Sequence, residues 1–188
     1  MKLSFSTRGW PSLSFDEMLE TAIDMGFSGV EVYNLPKFNP LMDKGGPFHK
    51  YNVAATVRYL RQSNLSIPCF DTSIDISQDG FVMENIMALV DVAHDARVPY
   101  VAVCALSDNE DNVVGVLDKL LPVAENNGVT VLVKTSGIYS NTERLRGLLD
   151  RFASDSLAAL WDVYHPYRDN GESADQTIKN LGAYVCHV

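Results

Sequence analysis

The chain has 188 residues, with 15 Lys and Arg against 24 Asp and Glu, a net charge of −9 at neutral pH, 46% hydrophobic residues and 21% charged ones. That balance belongs to a globular domain large enough to bury a core without disulfides or a structural metal, and it excludes a disordered or peptide-like scaffold. A polyanionic partner needs a basic patch to offset the −9, and no run of Lys or Arg exceeds two residues, so neither nucleic acid nor an anionic membrane is expected as a partner.

The opening, MKLSFSTRGWPSLSF, is broken by polar residues, Gly9 and Pro11 before any signal-peptide core can form. No stretch approaches the roughly 20 apolar residues of a membrane span, so a cytoplasmic protein is expected. Cys69, Cys104 and Cys186 lie far apart without a C-x-x-C pair, each inside an apolar run, and are predicted to be reduced and packed in the core.

In chain order, short β-rich runs recur at residues 3–6, 30–33, 67–70, 100–103, 131–133, 158–161 and 184–187. Amphipathic helical stretches lie between them, as in Met18, Leu19, Ala22 and Ile23 or Leu145, Leu148, Leu149 and Phe152. Four helices are predicted to open with a capping box: Ser14 with Glu17, Ser107 with Glu110, Ser140 with Glu143, and Ser173 with Gln176. The helix-to-strand returns are short and carry Gly26, Gly128 and Gly182. Strand and helix alternate throughout at about 30 residues per unit, the signature of a parallel α/β chain.

A doubly wound open sheet would carry a glycine-rich phosphate turn after its first strand, and Ser6-Thr7-Arg8-Gly9-Trp10 is not one. The expected fold is therefore a (β/α)8 TIM barrel type, incomplete, with about seven parallel strands and six helices in a single domain over residues 1–188. An eight-unit barrel typically takes about 250 residues, so the last strand-helix portion is expected to be lacking. The longest loop, residues 34–50, follows the second strand and is either a lid over the catalytic face or a tolerated surface insertion.

In such a barrel the reactive groups stand where each apolar strand stops. The candidates are Arg8 and Trp10 after the first strand, Glu31 and Tyr33 in the second, Asp71 and Asp75 after the third, Lys134 ending the fifth, Asp162 and His165 after the sixth, and His187 in the seventh. Asp162 and His165, three apart in Trp161-Asp162-Val163-Tyr164-His165-Pro166, offer carboxylate oxygen and imidazole nitrogen to Mn²⁺, Zn²⁺ or Co²⁺, with His187 one unit later as a third donor. The plainer alternative is that Asp162 accepts hydrogen bonds from a neighbouring loop and His187 is a satisfied core histidine. For Asp71 and Asp75, contact with substrate hydroxyls competes with a role as turn and cap acids.

The chain also resembles the xylose isomerase-like TIM barrels, the superfamily of sugar phosphate isomerases and epimerases. The resemblance rests on Phe5-Ser6-Thr7, Asp24-Met25-Gly26-Phe27 leading into Gly29-Val30-Glu31-Val32, Val98-Pro99-Tyr100, Thr135-Ser136-Gly137, the Trp161 to Pro166 segment and Val185-Cys186-His187-Val188. It implies proton transfer next to a carbonyl, assisted by one divalent metal (Mn²⁺, Zn²⁺, Co²⁺ or Mg²⁺), on a sugar or sugar phosphate. Carried over residue by residue, Asp162 and His187 match two of four metal ligands, and His165 matches a residue that holds substrate. The strand-five glutamate of the family falls on Lys134, and the strand-eight glutamate lies beyond Val188. An ammonium has no lone pair to give and repels a divalent cation by several kcal/mol at about 4 Å and an effective dielectric near 20.

Lys134 is thus a lesion, a group that holds an anionic sugar in a metal-free site, or a Schiff-base nucleophile. The site set expected is Lys134 and His165 for catalysis, Trp10, Asp71 and His165 for substrate, and Asp162 and His187 for metal. The competing reading is a non-catalytic barrel that binds carbohydrate or assembles with itself or another chain through an open strand edge. An abasic-site endonuclease, a third member of the superfamily, fits poorly with four histidines and the acidic charge.

Overall fold

A computed structural model describes residues 2–10, 12–34, 39–78 and 83–188. Its strands are β1 (Ser4–Ser6), β2 (Gly29–Tyr33), β3 (Cys69–Asp75), β4 (Tyr100–Cys104), β5 (Thr130–Lys134), β6 (Leu157–Leu160) and β7 (Val185–His187). The helices are α1 (Phe15–Asp24), α2 (Asn39–Met42), α3 (Val53–Gln62), α4 (Met83–Asp95), α5 (Glu110–Asn127), α6 (Thr142–Phe152), α7 (Tyr164–Asn170) and α8 (Ala174–Leu181). Strands are hydrogen-bonded in sequence order from β1 to β7 and run parallel, the fold expected from the sequence, with α2 and α7 as short additions to six crossover helices. The chain divides into two compact units, residues 1–72 with 88–101, and residues 73–87 with 102–188.

In the first unit β1 pairs with β2, Ser4 opposite Gly29 and Ser6 opposite Glu31, and β2 pairs with β3, Tyr33 opposite Asp71. Helix α1 begins where the sequence places it. Ser14 Oγ accepts from Glu17 N–H, and Glu17 Oε2 takes the Ser14 N–H at 2.7 Å, both halves of the capping box. Those bonds from Ser14 hold the Glu17 carboxyl below its ordinary pKa. Leu19 and Ala22 then bury one helix face with Val30, Val32 and Phe70 of the strands. Gly29 is required where it stands, because a Cβ there would meet the Ser66 carbonyl oxygen at 2.4 Å.

The loop between β2 and α3 falls partly outside the described residues, at 35–38, but its later half is pinned. Phe48 is buried, edge-on to Phe15 at 5.3 Å and to Phe70 at 5.1 Å. Asn52 Nδ2 donates to the Lys44 and Gly46 carbonyls, and Thr56 Oγ1 to that of Pro47. This aromatic anchor ties Phe48 to the core, while Lys44, Gly45, Lys50 and Tyr51 stay exposed.

In the second unit β5 and β6 read Thr-Val-Leu-Val-Lys and Leu-Ala-Ala-Leu, with every residue but the first and last of β5 buried, as a parallel strand covered on both faces requires. Val131 pairs with Leu157 and Lys134 with Leu160. Leu160 pairs onward with His187 after a register shift at Ala159 and Leu160.

Four expectations are corrected here. Helix α5 is capped by Asn109, whose Oδ1 accepts from Asn112 N–H at 3.2 Å. Ser107 instead exchanges hydrogen bonds with Ser77. Helix α6 is capped by Asn141, because Ser140 Oγ donates to the Gly137 carbonyl and accepts from Asn170, while the Glu172 carboxylate takes the Thr142 N–H. Strand β3 continues past Phe70, so Asp71 and Asp75 lie inside it, Asp71 buried. Cys186 is exposed, since the middle residue of β7 turns outward, whereas Cys69 and Cys104 are buried as expected.

Asp75 is the last residue of β3. Its Oδ1 accepts from Ser77 N–H and Oγ–H and from Leu106 N–H. Partial burial pushes its carboxyl up, and the bonds from Ser77 and Leu106 outweigh that and hold it below its ordinary value of 3.8. A depressed carboxyl stabilises the fold fully above that value and loses its contribution as pH falls below it. Urea unfolding of Asp75→Asn should therefore show lower stability than wild type at neutral pH, with the gap narrowing as the pH is taken below 3.8.

Candidate functional site

At the strand ends of the first unit, the Ser6 side chain caps a 3-10 turn over Thr7–Gly9. Thr7 Oγ1, buried, accepts from Tyr33 N–H at 2.9 Å and ties the end of β1 to that of β2. The Arg8 guanidinium lies over the Tyr33 ring at 5.1 Å, a cation–π pair that fixes a positive charge beside β2. Trp10 is partly exposed and leans on Phe5, ring centroids 5.9 Å apart. Asp71, paired opposite Tyr33, is buried, with 4% exposure.

In the second unit the ends of β5, β6 and β7 are sutured by hydrogen bonds that continue past the strands. Thr135 N–H donates to the Leu160 carbonyl at 3.0 Å, and Trp161 N–H to that of His187 at 2.9 Å. The Thr135 hydroxyl, fully buried, accepts from Asp162 N–H at 2.8 Å and donates to the Asp162 carbonyl at 3.1 Å. Asp162 is thus fixed by its backbone, which frees its carboxylate for other work. Its Oδ1 accepts from Tyr164 N–H at 3.0 Å, the start of α7, and its Oδ2 faces His165 Nε2 at 3.9 Å. On the other side of the ring, His165 Nδ1 bonds Asp169 Oδ2 at 2.9 Å.

Of the residues expected from sequence, the structure brings Asp162 and His165 together and sets Lys134 and His187 on either side of Leu160 in the sheet. Sequence reasoning quoted Thr135 only within the Thr135-Ser136-Gly137 motif and gave it no role, and it missed Asp169, which the four-residue spacing from His165 on a helix could have shown. A cavity of about 330 Å³ lies elsewhere, lined by Glu110, Val114, Arg144, Gly147, Leu148 and Arg151 of α5 and α6. Its Arg144 is already paired with Asp108 at 2.7 Å and Glu110 at 3.2 Å, which keep the guanidinium's pKa raised. Tyr139, beneath it, has its hydroxyl on Glu110, and burial, then that carboxylate, pushes its pKa up.

A divalent metal does not fit this donor set. Among the described residues no three His, Cys, Asp or Glu side chains converge as a metal group. His165 lies between Asp169 at 2.9 Å and Asp162 at 3.9 Å, on opposite sides of its ring, and the neighbouring strand β5 ends in the cation Lys134.

Seven parallel strands in sequence order, with helices between them, define the class as an incomplete α/β TIM barrel. The family model for the xylose isomerase-like TIM barrel matches residues 19–188, and the chain belongs to that family. Among solved structures, the probable 3-DHS dehydratase AsbF from Bacillus anthracis, described as involved in petrobactin synthesis, is similar with 18% identity and a TM-score of 0.81 over 98% of this chain and 71% of that one. The IOLI protein with a bound zinc atom gives 16% identity and a TM-score of 0.80 over 98% and 70%. The 3-keto-D-glucoside 4-epimerase YcjR from E. coli gives 14% and 0.75 over 100% and 78%. At these identities the likeness is one of fold. No curated protein matches the sequence. No helix among the described residues is long and apolar enough to cross a membrane.

Replacing Thr135 by Val keeps its shape and strands the Asp162 N–H and carbonyl. Urea denaturation of Thr135→Val should show a loss of about 1–3 kcal/mol, the cost of leaving buried polar groups unpaired.

Proposed function

We propose that this chain binds a sugar, or a related polyhydroxy compound, at its strand ends, and that Lys134 has removed the divalent-metal step of the isomerase and epimerase reaction that the family performs. The observation that carries the reading is the pairing of Asp162 with His165 at the end of β6 beside a strand end occupied by Lys134. Two of the structural neighbours, a probable dehydratase and a 3-keto-D-glucoside epimerase, support a small polar ligand.

In this reading His165 holds a substrate hydroxyl and is the group able to take a proton, Trp10 packs on a sugar face, and Asp71 accepts from a hydroxyl. Lys134 supplies positive charge, to an anionic substituent or to the carbonyl oxygen beside which a proton would move. Asp162 and His187 are the positions that would hold the metal in the parent arrangement. With Lys134 in place of a third anionic ligand, proton transfer next to a carbonyl is expected to be slow or lost. A carbohydrate-binding barrel without catalysis is the second reading, favoured by the same lysine.

Thermal unfolding with and without millimolar Mn²⁺ tests it. Wild type should show one unmoved transition, whereas Lys134→Glu should rise by about 5–10 °C, the effect of a ligand at about 100 times its Kd on a domain of this size. A rise in the wild type, or Mn²⁺-dependent turnover of a ketose by it, would sink the metal-free reading. Failure of wild type to bind any ketose or polyol by calorimetry would remove the sugar itself.

A further inference from the structure

His165 stands between two carboxylates on unequal terms. Its Nδ1 is 2.9 Å from Asp169 Oδ2, a hydrogen bond, while its Nε2 is 3.9 Å from Asp162 Oδ2, beyond hydrogen-bond reach. An ionised carboxylate can only accept, so the hydrogen of that bond belongs to Nδ1, and the neutral imidazole then carries its lone pair on Nε2.

We propose that Asp169 is a positioning residue that fixes His165 in the Nδ1–H tautomer and thereby sets the Nε2 lone pair beside Asp162 Oδ2 as a pair of acceptors for a vicinal diol. The argument is one of hydrogen supply. Asp162 Oδ1 already accepts from Tyr164 N–H, so Oδ2 is the oxygen turned toward the ring. Two acceptors side by side repel one another until donors arrive. A lone hydroxyl has one hydrogen and satisfies only one of them, a carbonyl satisfies neither, and two adjacent hydroxyls satisfy both. Asp169, His165 and Asp162 have side chains 47%, 36% and 27% exposed, so the site is open to a ligand. At that exposure the Asp169 pair contributes little to stability, and its effect is on the ring's tautomer.

The diol part rests on the sugar reading above, and the tautomer part does not. Long-range proton–nitrogen correlation spectra of the ¹⁵N-labelled full chain, taken where imidazoles are neutral, resolve four histidines, with His165 assigned by its loss in His165→Asn. The expected result is the Nδ1–H tautomer in wild type, a shift toward Nε2–H in Asp169→Ala, and retention in Asp169→Asn, whose amide oxygen still accepts. An Nε2–H ring in wild type, or no change in Asp169→Ala, overturns the assignment of Asp169 whatever the chain binds. Ribitol should then move the His165 Nε2 resonance and 1,4-butanediol should not, with ribitol binding weakened by about tenfold in Asp169→Ala, the loss of roughly one hydrogen bond. Correct tautomers with no ribitol response at His165 would overturn the diol site while leaving Asp169 as the positioning residue, and the sugar reading falls separately, on the calorimetry with ketoses and polyols.

Discussion

Parallel pairing between successive strands is the constraint on which the rest depends. A chain that re-enters a sheet beside the strand it has just left, in the same direction, must cross back over the sheet each time, and a helix is the compact way to do so. Every strand then stops at the same side of its neighbour. In the second unit this puts Lys134, Asp162 and His187 at consecutive strand ends without any of them having to seek the others through a long loop. The buried apolar runs of β5 and β6 supply the stabilisation, and the polar residues that end them inherit their positions.

How those positions are made rigid is a separate matter. A strand end is where ladder hydrogen bonds run out, and here side chains and carbonyls extend the ladder. Thr135 grips both backbone groups of Asp162, the His187 carbonyl takes the Trp161 N–H, and Thr7 does the same for Tyr33 in the first unit. The Asp162 carboxylate is therefore presented by a fixed backbone, and α7, whose first residue, Tyr164, bonds that carboxylate, carries His165 and Asp169 in fixed relation to it.

Much of this was legible in the residues and some was not. Strands β4, β5 and β6 follow from apolar runs, because a parallel strand covered on both faces can tolerate little else. The end of β3 was misread for the converse reason: Asp71, Thr72, Ser73 and Asp75 are polar, yet pairing to Tyr33 and the bonds of Asp75 hold them in the strand. Caps were half legible. Ser14 and Ser173 do cap their helices, whereas Ser107 and Ser140 lost to Asn109 and Asn141, which sit next to the first turn, once each serine had found a tertiary partner. At the site, the spacing of Asp162 and His165 was enough to pair them. Thr135 was invisible because its role depends on which strand lies beside it.

Trp161 stands one peptide bond from Asp162, and its indole N–H is buried with no acceptor among the described residues. The chain has one other tryptophan, Trp10, which is 39% exposed. The protein therefore carries an optical reporter at the end of β6. Emission from an enclosed indole lies to the blue of that from a wetted one, and its intensity answers to nearby charge and to any group that comes within reach of the ring nitrogen. Fluorescence can follow events around Asp162 without a label.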